Sequence, residues 1–253
     1  MEVHPDSTLT TPSSSGRQYA ASMTGLIGQV LPLAVGAMIS PTILAIQVLV
    51  LSSRQRPRMK AFALLIGAAV TLAVFGLVVV LLLQSGPVTK ADESAPTHGL
   101  IYVTLRLTGA LLLVWLGVRS MRPKETPGEK HQSRVSSMLA TAGAPLYFVV
   151  GVVGILIDFS SLVLYIPGLH DIVRSDASGT TKWIAFAILY LFILMPVIVP
   201  LLLSVVMGTK ADPILAAINH FVVKHGRTIN VVVCFVFAAY LAITGLAVFA
   251  SMQ

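Results

Sequence analysis

Hydrophobic positions along this chain gather into six long runs, at 25–51, 61–84, 100–120, 139–169, 183–207 and 228–250, with polar connectors between them. A helix rising about 1.5 Å per residue needs about 20 residues to cross roughly 30 Å of hydrocarbon, and every run meets that length. Among the charged residues only Arg106, Arg119 and Asp158 fall inside the runs, Arg119 at an end. The pattern predicts an all-α polytopic membrane protein with six transmembrane helices. The run 139–169 is too long for one straight crossing and reads as a broken helix, or as a span with an interfacial piece.

Composition agrees. The 253 residues are 56% hydrophobic and 11% charged, against about 25% charged in soluble domains. The 19 Gly and 14 Pro are tolerated where helices are dissolved in lipid. The single cysteine, Cys234, lies in an apolar run, which excludes a disulfide scaffold or a CxxC redox motif. Residues 1–24, rich in Ser and Thr with Pro5 and Pro12, read as a flexible extracytoplasmic tail without the basic start and apolar stretch of a signal peptide.

Orientation follows from Lys and Arg. One face collects twelve, in the connectors at 54–60, 119–134 and 210–227, against Arg17, Lys90, Arg174 and Lys182 on the other. The positive-inside rule places both termini outside the cytoplasm of a bacterial plasma membrane. The formal net charge of +7 then serves mainly as an anchor against anionic cytoplasmic lipid. No basic patch is interleaved with exposed aromatics, so nucleic acid is not an expected partner.

Dividing the chain at residue 134 leaves three runs in 25–134 and three in 135–253. Gly36-Ala-Met-Ile-Ser40-Pro41 aligns with Gly154-Ile-Leu-Ile-Asp158-Phe159, Ala61-Phe-Ala-Leu-Leu65 with Ala185-Phe-Ala-Ile-Leu189, and Thr108-Gly109 with Thr244-Gly245. Three spans per half force an inverted relation, so the expected fold is two inverted three-helix repeats. The aligned positions in the first and fourth spans are where a break is expected. Pro41 has no N–H to give the carbonyl of Ala37, which kinks or opens the helix. Freed backbone survives in a bilayer only where protein or a watery cavity satisfies it, and paired interruptions mark a central binding site.

Asp158 is the most informative residue. A carboxylate at mid-depth costs about 2.5–3.5 kcal/mol on insertion scales, so it needs a partner, water or a proton. It reads as a protonatable coupling residue or a substrate ligand; the plainer alternative is a cap on a broken helix through the amides of Ser160 and Ser161. Arg106, about two turns into the third span, snorkels to the outer headgroups or, as a candidate site residue, pairs with Asp158 or contacts an anionic head group. Gln47 and Tyr165 each follow a break by seven residues, on the same helix face. Both are candidate site residues, with interhelical hydrogen bonding as the simpler role. His170 is expected in a solvated outer loop. Pro196 and Pro200 predict a hinge or a permanent bend in the fifth span. Walker A, HExxH, GxSxG and paired acidic metal motifs are missing, so no enzyme, cofactor or metal is expected.

The chain resembles the GAP family, the glycolipid- and sulfolipid-addressing proteins of mycobacteria and other actinobacteria, in the LysE-type exporter superfamily. The resemblance rests on Ser40-Pro41, the basic turn Ser52-Ser-Arg-Gln-Arg-Pro57, Ala61-Phe62 through Gly67, Asp158-Phe-Ser-Ser-Leu162, Pro196 through Pro200, and His225-Gly-Arg-Thr-Ile229. It implies a plasma-membrane protein that helps move envelope glycolipids outward beside a larger lipid transporter. Ser40, Pro41 and Asp158 match the superfamily's central helix breaks. The chain departs from many relatives at Ser136-Ser-Met138, where a Pro-Lys-Trp-type motif is common, and at Asp158-Phe-Ser, where an Asn-Pro-Lys-like break is common. Two other functions stay open: a proton-coupled exporter of a small solute such as an amino acid or cation, and a non-transporting scaffold for envelope lipid machinery. The pattern also leaves open a homo-oligomer.

Overall fold

The computed structural model describes residues 14–53, 56–85, 97–121 and 143–251. Every regular element among them is a helix: α1 Ser14–Met38, α2 Pro41–Leu51, α3 Pro57–Ser85, α4 Thr97–Met121, α5 Ala144–Ile157, α6 Phe159–Arg174, α7 Gly179–Met207, a 3-10 turn Gly208–Ala211, and α8 Asp212–Ser251. The tail at 1–13 and the departures at 136–138 lie outside the described residues.

Four segments, 57–84, 102–121, 179–207 and 224–250, are single helices long and apolar enough to cross a membrane. The first and fourth runs are each a bent helix pair: α1 and α2 meet at 53°, α5 and α6 at 70°. Each pair is one broken span or a re-entrant loop, so the described residues hold four to six membrane spans. Two boundaries differ from expectation. α1 starts at Ser14, so residues 14–24 are helix rather than tail; the segment after Pro12 contains no proline until Pro32 and includes good helix formers. α8 starts at Asp212, well ahead of the apolar run at 228, because nothing after Pro213 interrupts the helix.

α4 packs along α8, α3 along α5, and α1 against both α6 and α7. α2 touches α3, α7 and α8, while α6 touches α3, α4 and α7. Association between helices in lipid has no hydrophobic drive, so close backbone approach and buried hydrogen bonds hold the bundle. Gly67 on α3 and Gly151 on α5 show the first device. A Cβ on Gly67 would overlap the carbonyl of Phe148, and one on Gly151 the carbonyl of Leu64. Gly151→Ala should therefore cost about 1–3 kcal/mol by overpacking. Gly28→Ala, where a Cβ meets nothing within 4 Å, should not lose stability. Thermal unfolding of the two purified variants compares them.

The second device is seen at the α4–α8 pair. The end of α4 accepts from α8: the Ser120 carbonyl from Arg227 Nε at 2.7 Å, the Met121 carbonyl from Arg227 Nη2, and the Ser120 hydroxyl from Asn230 Nδ2 at 2.9 Å. Helix-end carbonyls that lack intrahelical partners are thus satisfied by the neighbour.

Candidate functional site

Both breaks fall at the expected residues, but their backbones are satisfied differently. At the first, α1 ends at Met38 and Pro41 opens α2 at a position where its missing N–H costs nothing. Ser40 is the N-cap, its Oγ accepting from Ile43 N at 3.4 Å. The carbonyl of Ala37 accepts from Ser161 Oγ at 2.8 Å, so the first break is completed by the helix that follows the second. Ser40 and Ser161 are both buried.

At the second break Asp158 separates α5 from α6 and is half-buried. Its side chain makes no capping bond to the amides of α6, which removes the amide-cap alternative. Oδ1 instead accepts from Ser160 Oγ at 2.9 Å. The flanking Ile157 and Phe159 are 62% and 59% exposed; this break sits at the rim of the helix bundle rather than in its centre.

Gln47 and Tyr165 are fully buried. Gln47 Nε2 donates to Val197 O on α7 at 3.1 Å, while its Oε1 has no hydrogen-bond partner among the described residues. The Tyr165 ring stacks on Phe75 of α3, 6.4 Å between centroids, and its hydroxyl lies against Gly76 with no hydrogen-bond partner among the described residues. Both side chains tie a second half-helix to a neighbouring span. Pro196 and Pro200 are buried in α7, which continues as one helix through both.

Arg106 neither snorkels nor pairs with Asp158. It is 2% exposed, and its Nη2 donates to Asp171 Oδ2 at 2.6 Å, an ion pair buried on both sides. Nη1 donates to Thr244 Oγ1 at 2.5 Å, and the guanidinium lies 4.4 Å from the centroid of the Tyr102 ring. His170, expected in a solvated loop, is buried in α6, and its Nδ1 lies 3.6 Å from Asp171 Oδ1. The sequence held a signal for this arrangement. Ser161, Leu164, Gly168 and Asp171 share a helical stripe that runs past the end of the apolar run, and an intramembrane arginine requires a counter-charge.

A cavity of about 570 Å³ opens beside the first break. Ser40, Pro41 and Leu44 form one wall, Met195, Pro196 and Val199 of α7 another, and Ala217, Ile218, Phe221 and Val222 of α8 the third. Its volume is that of a ligand site, and Ser40 is the one polar side chain in its lining. A second cavity of about 490 Å³ lies further along α2 and α8, lined by Ser52, Ser53, Arg58, Ser204 and Asp212 among others. Arg58 Nη2 donates to Ser204 O there at 2.9 Å. An apolar cleft and a polar pocket thus lie along the same two helices. No group of three or more His, Cys, Asp or Glu side chains among the described residues is arranged to hold a metal ion.

Comparison with known proteins gives one match. No curated protein and no solved structure is significantly similar to the chain. The family model described as "Sap, sulfolipid-1-addressing protein" matches residues 30–247, which takes in both breaks, the cleft and the Arg106–Asp171 pair. The chain belongs to the Sap, sulfolipid-1-addressing protein family.

Proposed function

We propose that this protein is a plasma-membrane transporter, or the accessory of one, that moves envelope glycolipids outward. The observation that carries this reading is the apolar cleft beside Ser40 and Pro41, in a chain whose family is described by sulfolipid addressing. A cleft walled by Leu, Ile, Val, Met and Phe matches bilayer hydrocarbon in polarity, so an acyl chain can pass from the bilayer into it at little cost. It offers an amino acid or a cation almost no polar contact, which favours an acyl chain over the small-solute alternative.

Six spans in two inverted repeats are the architecture we assign, with both termini extracytoplasmic. The helix contacts support it. Exchanging the halves turns α1–α7 into α5–α3, α2–α8 into α6–α4 and α2–α7 into α6–α3, all of which are in contact. Gln47 and Tyr165, equivalent under that exchange, reach α7 and α3, which are equivalent too. Asp158 at the rim is the polar group that a headgroup entering sideways between helices would meet.

The test is a lipid inventory of whole cells and of surface extracts from a deletion strain, complemented with wild type or with Asp158→Asn. A glycolipid that is synthesised but retained without the protein, restored by wild type and not by Asp158→Asn, is the expected result. Unchanged surface lipids in the deletion strain would remove the glycolipid reading.

A further inference from the structure

The buried cluster of Arg106, Asp171 and His170 plays no part in the cleft. The guanidinium of Arg106 meets Asp171, Thr244 and the Tyr102 ring, and these partners are divided among three helices. Tyr102 is on its own helix α4, and Thr244 is on α8, where Oγ1 passes a hydrogen bond on to Tyr240 O at 2.8 Å. Only Asp171 is on α6. α4 and α8 are held together independently by Arg227 and Asn230 at their other ends. The Arg106–Asp171 pair, with the Tyr102 and His170 rings 5.8 Å apart beside it, therefore fastens the far end of α6 to that pair. The near end of α6 begins at the 70° break at Asp158, where a half-helix has a ready pivot.

With neutral His170 the cluster carries one positive and one negative charge and no net charge. His170 Nδ1 has no hydrogen-bond partner among the described residues and faces the carboxylate oxygen that Arg106 leaves free. A proton added to the His170 ring gives an imidazolium and a net charge of one in a buried site, with two cations sharing one carboxylate. An uncompensated buried charge is strongly unfavourable, and opening to water relieves it. The other groups facing this region among the described residues are Tyr102 on α4 and Tyr240 on α8. Beyond them, Lys182 Nζ donates to Val173 O at 3.1 Å, and Arg174 Nη2 reaches Leu83 O of α3 at 3.5 Å. None of them is a second carboxylate able to absorb the added charge.

We propose that Arg106, Asp171 and His170 form a proton-binding site that couples proton uptake to release of α6 from the α4–α8 pair. The ligand is a proton, the His170 imidazole accepts it, and Asp171 is the fastening group. The proposal is independent of the substrate in the cleft, and its test requires none.

The measurement is the distance between spin labels at Asp176→Cys, just beyond α6, and Leu246→Cys on α8, in the full chain carrying Cys234→Ala and held in lipid nanodiscs. Lowering the pH from about 8 to about 5, the interval over which histidine charges, should convert a single short distance into a growing longer population. Asp171→Asn should show the longer population at both pH values. His170→Gln should keep the short one at both. If Asp171→Asn does not fold, the paired Arg106→Gln/Asp171→Asn variant, which leaves no buried charge, should give the same pH-independent long distance. A wild-type distance unchanged by pH, or a pH response surviving in His170→Gln or in the paired variant, would overturn the proposal.

Discussion

Replacing Asp171 with alanine is expected to destabilise the protein by about 3–5 kcal/mol, because it leaves the Arg106 guanidinium buried without its counter-charge. Thr244 and the Tyr102 face remain as partners, but neither carries a negative charge. The paired substitution Arg106→Met/Asp171→Leu removes both charges and should recover most of the loss, since buried ion pairs exchanged for apolar groups of similar volume are often neutral or better. The chain supplies its own reporter. Cys234 is its single cysteine and is fully buried, so a thiol-reactive dye reads unfolding directly. By soluble-protein scaling the single variant should unfold roughly 6–20 °C below wild type, and the paired variant close to it. Equal midpoints for Asp171→Ala and wild type would show that the pair holds nothing together.

The second large effect is expected in the cleft. Ala217 of α8 lines the same cleft as Ser40 and Pro41 and is exposed. Ala217→Trp fills that space with an indole while leaving the hydrogen bonds at both breaks intact. Stability should change by no more than about 0.5 kcal/mol, as for a substitution outside the packed core, so the dye midpoint should stay in place. Surface glycolipid should fall at least tenfold in cells carrying the variant, equivalent to about 1.4 kcal/mol lost at the site. A filled cleft with normal surface lipid would place the transport path elsewhere.

The residues that could be read from the sequence are those whose behaviour is fixed by local chemistry. Pro41 lacks an N–H wherever it sits, and the chain breaks beside it; Asp158 cannot continue a lipid-embedded helix at no cost, and the chain breaks there too. What the sequence hid is which distant group completes each feature. Nothing local to Ala37 indicates that Ser161 serves its carbonyl. Asp171 gives no local sign of its role, because a charged residue reads as the end of a span, yet the buried stripe of α6 runs through it to Ile172. Lys60 misleads in the same way. It reads as one of the basic anchors, but it is buried with its Nζ 5.1 Å from the centroid of the Tyr147 ring. Pro196 and Pro200 predict a hinge or a permanent bend, and α7 runs through both buried prolines as one helix. The apolar cleft was hidden altogether, because its lining looks like any lipid-facing surface until three helices enclose it.

The central claim is that the cleft beside Ser40 and Pro41 holds the acyl chain of a glycolipid. The direct measurement is photocrosslinking of the purified protein in nanodiscs with a glycolipid carrying a diazirine on its acyl chain, followed by peptide mapping. Adducts should concentrate on the peptides around residues 38–44, 195–199 and 217–222, and disappear in Ala217→Trp. Adducts spread over lipid-facing residues such as Leu82 and Leu111, both highly exposed, and unchanged by Ala217→Trp, would contradict it.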